Sequence, residues 1–229
     1  MMNDSIVVIA AHPDDEILGC GGAIAKWARE GCDVNILLMT DGESSRLNLD
    51  EKNLESRQDS RTTAADQCAK FLKCKSVTRL NFPDNRMSDH ILLDVVQAVE
   101  KFIAEHQPTV VLTHHSGDVN IDHRVTHDAV LAACRPQPGH CVKTLLFFEI
   151  PSSSEWNTPA SRISFSPNYF CDISKNLECK LHALKFYEEE MRPFPHARSA
   201  RAVESLARWR GCSAGVEAAE AFMVGRIIK

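Results

Sequence analysis

A chain of 229 residues with 44% hydrophobic and 25% charged side chains has the size and composition of one soluble α/β domain with a substantial core. The formal net charge of −5 comes without any long basic block, which argues against an extended nucleic-acid-binding face. No apolar run approaches the roughly 20 residues that span a bilayer, so no membrane span is expected.

The opening stretch, Met1–Glu16, has a short apolar run with no cationic lead and passes directly into acidic residues, unlike a secretory leader. A cytoplasmic protein is the expectation. The nine cysteines form no CxxC pair, which suits reduced, structural thiols and not a cysteine-built metal site.

Ser5–Ala10 is a short β-branched run of the kind that forms a buried parallel strand. Apolar residues from Ile17 to Ala28 then follow helical spacing, and Gly31 ends the pattern. Asp33–Met39 reads as a second strand, Asp41–Asp50 as a polar loop and Glu51–Leu72 as a helix. Ser76–Leu80 makes a third strand, and Ile91 to Ile103 mark an amphipathic helix. Thr109–Thr113 is a fourth strand, followed by a polar loop and a helix starting near His123. Lys143–Ile150 is a fifth strand, and Pro151–Pro167 is irregular and rich in Ser and Pro. Two more helices are expected near Ser174–Glu190 and Ser199–Gly211, with a short strand around Phe222–Ile227. This order predicts a Rossmann-like parallel sheet covered by helices on both faces, in one domain spanning residues 1–229.

Two clusters fall at strand carboxyl ends, where open parallel sheets bind ligands. The first is His12-Pro13-Asp14-Asp15-Glu16 after the first strand. Capping of the following helix accounts for one or two of these acids. It does not account for three consecutive acids, which repel one another unless a cation is near. The second cluster, after the fourth strand, holds His114, His115, Asp118, Asn120, Asp122, His123 and His127. Together His12, Asp15 and His123 supply three ligands and leave a fourth position for water, the pattern of a catalytic zinc. His127, one helical turn beyond His123, is a rival ligand or a core residue. Asp14, beside the metal, has the chemistry of a general base for the attacking water. No GxSxG elbow occurs, and Gly19-Cys20-Gly21-Gly22 does not complete GxGxxG.

The AHPDDE motif at Ala11–Glu16 resembles the LmbE-like (PIG-L) deacetylases, a family that includes those of GlcNAc-phosphatidylinositol and of mycothiol and bacillithiol precursors. Thr40-Asp41-Gly42-Glu43, Phe82-Pro83-Asp84, Asp122-His123 and the Lys180…Ala183-Leu184…Tyr187 pattern are similar as well. The resemblance implies zinc on His12, Asp15 and His123, with iron(II) acceptable to the same donors. It also implies Asp14 as base, Asn120 and Asp122 as catalytic neighbours, and an N-acetylated amino sugar as substrate. Sugar contacts are expected from Glu43, Asp84, Arg61 or Arg57, His115 and His196.

In one place the chain departs from the family pattern. Many members read His-Pro-Asp-His where this chain reads Asn120-Ile121-Asp122-His123, a form that resembles a bacterial branch. An Asn amide donates a hydrogen bond but cannot transfer a proton. The general acid is therefore open between Asp14, His114, His115 and His196. The cationic stretch Arg192–Arg198 is a candidate cap for the pocket, and Pro151–Pro167 a candidate contact in a homo-oligomer. Besides a de-N-acetylase, the residues admit an amidase acting on a larger thiol or acyl conjugate. They also admit a silent zinc- or sugar-binding protein.

Overall fold

The computed structural model describes residues 4–44, 51–158 and 163–229, and for 51–55 the backbone only. Part of the Asp41–Asp50 loop and part of Pro151–Pro167 thus lie outside the described residues.

The strands are β1 (Ser5–Ala10), β2 (Asp33–Thr40), β3 (Ser76–Phe82), β4 (Val110–His114), β5 (Thr144–Phe148), β6 (Tyr169–Asp172) and β7 (Ala219–Ile227). They form one sheet in the order β3-β2-β1-β4-β5-β7-β6. The pairs from β3 through β5 are parallel. β7 runs antiparallel to both β5 and β6, so the expected parallel sheet gains an antiparallel edge. The helices are α1 (Asp15–Arg29), α2 (Glu51–Leu72), α3 (Leu92–His106), α4 (Ile121–Ala133), α5 (Leu177–Ala183) and α6 (Ala200–Ala214). A 3₁₀ segment, Leu184–Glu190, follows α5 directly.

The central strands are apolar throughout because both faces are covered. Ile6, Val8 and Ala10 join one core with α1, α2, α5 and α6, while Val7 and Ile9 join the other with α3 and α4. Strand order reverses between β1 and β4, and the carboxyl ends of those two strands carry the two polar clusters. Such a reversal opens a crevice, the usual ligand site of a doubly wound sheet.

The glycines of α1 serve packing. A Cβ on Gly19 would stand 2.6 Å from the Phe148 ring, and one on Gly22 would stand 2.6 Å from Ile173. α1 is broken at Cys20 (φ −148°, ψ 23°), which frees backbone groups inside the core. Glu220 on β7 accepts the N–H groups of Gly22 (2.9 Å) and Ala23 (2.6 Å). Lys180 on α5 donates to the Leu18 carbonyl (2.8 Å) and to Glu220 (2.6 Å). A buried ion pair thus repairs the break and ties the last strand to the first helix.

Cysteine positions agree with structural thiols. Burial raises every shifted thiol, Cys74, Cys134 and Cys171 up to about 12, and only Cys212 is exposed. A neutral thiol is a poor nucleophile. Native protein at neutral pH should therefore show one fast-reacting thiol, Cys212, towards a disulfide reagent and all nine after unfolding. Several fast thiols in the native state would contradict this packing.

Candidate active site

The turn after β1 brings its own ligands together. The His12 N–H donates to Asp15 Oδ2 (2.9 Å), closing the turn, and the same oxygen lies 3.0 Å from His12 Nδ1. From α4, His123 Nε2 stands 3.1 Å from Asp15 Oδ2 and 3.2 Å from His12 Nδ1. Three donor atoms of three buried side chains therefore form a near-equilateral triangle. Tetrahedral zinc held at about 2.0–2.1 Å sets neighbouring donors about 3.3 Å apart, so the triangle has the size of one face of such a site. The second oxygen of Asp15 is buried without a hydrogen bond among the described residues, as a carboxylate kept for a cation would be.

Carboxylates hold each imidazole from behind. His123 Nδ1 lies 3.1 Å from Asp118, whose carboxyl is in turn bound by the hydroxyls of Ser153 and of Ser154 (2.7 Å). His12 Nε2 lies 3.0 Å from Asp84 and 3.3 Å from Asp122. Burial alone would lower the His123 pKa, but Asp15 and Asp118 outweigh it and raise it to about 9. The His12 ring is likewise raised against its burial, by Asp122, Asp15 and Asp84. His12, Asp84 and Asp122 make a second cluster of possible ligand atoms. There, however, Asp122 already accepts the N–H groups of Asn85 (2.6 Å) and Met87 (3.1 Å). Asp122 thus anchors the 85–87 turn and orients His12, as outer carboxylates do for metal-binding histidines.

Asp14 stands apart from its neighbours. It precedes α1 at φ 125°, a costly conformation for any residue with a side chain. Its N–H is held by Glu16 (3.0 Å), and the Tyr187 hydroxyl holds Glu16 in turn (2.6 Å). One Asp14 oxygen accepts from Arg198 (2.8 Å); the other is buried with no partner among the described residues. Burial raises the Asp14 pKa, Arg198 lowers it and Asp15 raises it again, for a net upward shift.

His12 and Asp14 line a cavity of about 330 Å³ with Gly42, Arg61, Asp84, Asn85, Asn120, Glu190, Arg192 and Arg198. Among the described residues, every lining side chain is polar or charged apart from the glycine. Of the two candidate arginines, Arg61 reaches this cavity. It donates to Glu43 (2.8 Å), the Pro13 carbonyl (2.7 Å) and Glu190 (2.7 Å). Arg57 is turned to Glu43 (2.6 Å) and Glu189 (3.2 Å) at the edge. Glu43, fully buried, spreads its two oxygens between these arginines and braces the wall instead of facing the cavity.

Asn120 is the N-cap of α4: its oxygen accepts from the N–H groups of Asp122 (2.8 Å) and His123 (3.4 Å). Its amide nitrogen donates to Asn85 (3.3 Å). The remaining histidines do not line the cavity. His115 is buried, with Nε2 on the Ile163 carbonyl (2.9 Å). His196 accepts the Arg198 N–H (3.1 Å) and meets the Trp156 ring, shaping the loop that carries Arg198. His114 uses Nε2 to accept the Ala11 N–H (2.8 Å) and stacks on His123 at 4.0 Å. His127 donates from Nδ1 to the His114 carbonyl (2.9 Å), a core contact and not a ligand position. The cavity residues that motif reading passed over are Asn85 and Glu190, and Ser153 and Ser154 escaped it behind Asp118.

A doubly wound sheet with a His-Asp-His triangle at its switch point defines a class of proteins with one site at the β1–β4 crevice. The family model for GlcNAc-PI de-N-acetylase (PIG-L) matches residues 7–134, more than half of the chain, and the chain belongs to that family. It is 32% identical to the uncharacterized deacetylase YaiS of Escherichia coli (strain K12), over 79% of this chain and 88% of that one. It is 26% identical to the diacetylchitobiose deacetylase of Thermococcus kodakarensis, over 81% of this chain and 69% of that one. Among solved structures, GalB, a 4-carboxy-2-hydroxymuconate hydratase from a Pseudomonas, shares the fold with a TM-score of 0.78 at 20% identity. That alignment covers 99% of this chain and 98% of the hydratase. The fold is thus shared with an enzyme named for a different reaction, and the activity has to be argued from the site. Among the described residues no helix is long and apolar enough to cross a membrane.

Proposed function

We propose that this protein is a metal-dependent de-N-acetylase that hydrolyses the acetamide of an N-acetylated amino sugar or sugar conjugate. One observation carries the reading. His12, Asp15 and His123 form a donor triangle, the adjoining Asp14 keeps one buried oxygen with no partner among the described residues, and His12 and Asp14 line the same polar cavity.

His12, Asp15 and His123 would hold the ion, zinc or iron(II) by the chemistry of the donors. When bound, such an ion supplies Lewis acidity, polarising an acyl oxygen and lowering the pKa of water. Asp14 takes the proton of the attacking water on its unpartnered oxygen. The same proton then passes from Asp14 to the departing amine, because the Asn120 amide is no proton-transferring acid and His114, His115 and His196 do not line the cavity that Asp14 lines. The polar wall from Arg61, Asp84, Asn85 and Arg192 suits the hydroxyl groups of a sugar better than an acyl chain. The names of the T. kodakarensis relative and of the matching family, both N-acetyl sugar deacetylases, support the same substrate class.

Acetate release from a panel of N-acetylated mono- and disaccharides and nucleotide sugars tests this, using metal-stripped protein with and without restored zinc. Zinc-dependent release is expected from at least one member. Tight binding of a panel member with no acetate would contradict the reading and favour a sugar-binding protein instead.

A further inference from the structure

Three consecutive serines, Ser152, Ser153 and Ser154, sit in the turn after β5, within the stretch whose sequence reads only as irregular. Their hydroxyls bond the residues that back the site, Arg198 and Asp118. Ser152 accepts from Arg198 Nε (2.8 Å), and Arg198 NH1 donates to Asp14 (2.8 Å). Ser153 donates to Asp118 Oδ1, and Ser154 donates to Asp118 Oδ2 (2.7 Å) while accepting the Ile150 N–H (2.9 Å). Asp118 in turn lies on His123 Nδ1 (3.1 Å). Ser153 and Ser154 are buried, and Ser152 is held at φ 70°, a conformation that favours glycine. A serine kept where glycine would be less strained points to a use for its hydroxyl.

We infer that the Ser152–Ser154 turn is the positioning element of this site, fixing the base with one hand and a ligand with the other. Ser152 fixes the fork of Arg198, which occupies one Asp14 oxygen and leaves the other without a hydrogen bond among the described residues, available as the base. Ser153 and Ser154 fix the Asp118 carboxylate, which sets the ring angle of His123. Loss of the first arm slows turnover without loosening the ion, and loss of the second loosens the ion. The inference rests on the de-N-acetylase reading for its first arm only.

The test compares Ser152→Gly, Arg198→Ala, their combination, Arg198→Lys, and Ser153→Ala/Ser154→Ala. Zinc affinity is measured by chelator competition on metal-stripped protein, kcat and KM by acetate release, and folding by urea midpoint. Glycine suits position 152 because it removes the hydroxyl and keeps the positive φ. Ser152→Gly should lower kcat about tenfold or more with KM and zinc affinity unchanged. It should add nothing in the Arg198→Ala background, since both act through one contact. Arg198→Lys should recover part of the kcat lost in Arg198→Ala. The double serine variant should weaken zinc binding by about 10–100-fold.

An unchanged kcat in Ser152→Gly, multiplicative effects with Arg198→Ala, or unchanged zinc affinity in Ser153→Ala/Ser154→Ala would overturn the inference. Should the wild-type protein release no acetate from any substrate, the function fails separately. Zinc competition then still decides the second arm, and non-additive or additive urea midpoints for Ser152→Gly and Arg198→Ala support or overturn the first.

Discussion

Asp14→Asn is expected to lower kcat by about 10²–10⁴-fold, the usual contribution of a general acid–base group, with zinc affinity unchanged. Asn keeps the volume of Asp and is one of the residues best suited to a positive φ, so the turn at φ 125° should persist. Its oxygen can still accept from Arg198, which puts the amide nitrogen where the unpartnered oxygen stood. That nitrogen has no lone pair to take a proton, and the reaction loses both its base and the carrier to the leaving amine. The three ligand atoms do not involve Asp14, so the metal site should be untouched. Steady-state acetate release together with chelator competition checks both halves. A variant that keeps most of its kcat would remove Asp14 from the chemistry, and one that loses its metal would make it part of the metal site.

The largest effect on stability should come from Glu220→Ala, at about 3–5 kcal/mol, the range for breaking a buried pair from one side. The variant leaves the Lys180 ammonium buried at 3% exposure without its counter-charge. It also strands the N–H groups of Gly22 and Ala23 at the break in α1. Orphaned buried donors cost about 1–3 kcal/mol each, against a total stability of roughly 5–15 kcal/mol for a domain. Some relaxation and water entry would keep the sum below simple addition. Urea unfolding monitored by circular dichroism measures it. In Lys180→Ala/Glu220→Ala the loss should be smaller than the sum of the single losses, because each single variant already abolishes the pair. A loss below about 1 kcal/mol for Glu220→Ala would mean the pair is not what holds the broken helix.

The ion pair also shows where sequence reading stops. Lys180 stands out only as part of a family-like pattern, and Glu220 reads as one polar residue in a strand. Nothing local announces that they meet at the Cys20 kink, far from both in sequence. The central elements were legible because their signals are local: the apolar run of β1 and the periodicity of α1 and α3 emerge with nearly the expected bounds. β6 escaped because four residues at a sheet edge carry too little alternation, and its pairing is set by β7. β7 itself is nine residues, longer than the expected short strand, because both its edges are paired. The expected helix over Ser174–Glu190 is a short α5 and a 3₁₀ segment, with Tyr187 off helical geometry where its hydroxyl reaches Glu16.

The same division runs through the site. His12, Asp14 and Asp15 were legible because a single turn carries them, and His123 because it opens a helix at the same rim. His115 was not, since its N–H continues the sheet by bonding the Phe148 carbonyl (3.0 Å) and its ring is carried to Ile163. His196 reads as a loop histidine within reach, yet its ring is used to fold the loop that presents Arg198. Arg198, Glu190 and the serine turn reach the site only through the tertiary fold, and no spacing rule joins residues 14, 152 and 198. Asn120 reads as a substitution for a catalytic residue; as the cap of α4 it also has a structural task that its side-chain oxygen performs well.

The most direct measurement of the central claim is the anomalous scattering of a zinc-soaked crystal at the zinc absorption edge. One strong peak is expected, bound by His12 Nδ1, Asp15 Oδ2 and His123 Nε2, with Asp14 not coordinated. A peak centred instead between His12, Asp84 and Asp122, or no peak in the crevice at saturating zinc, would contradict the claim.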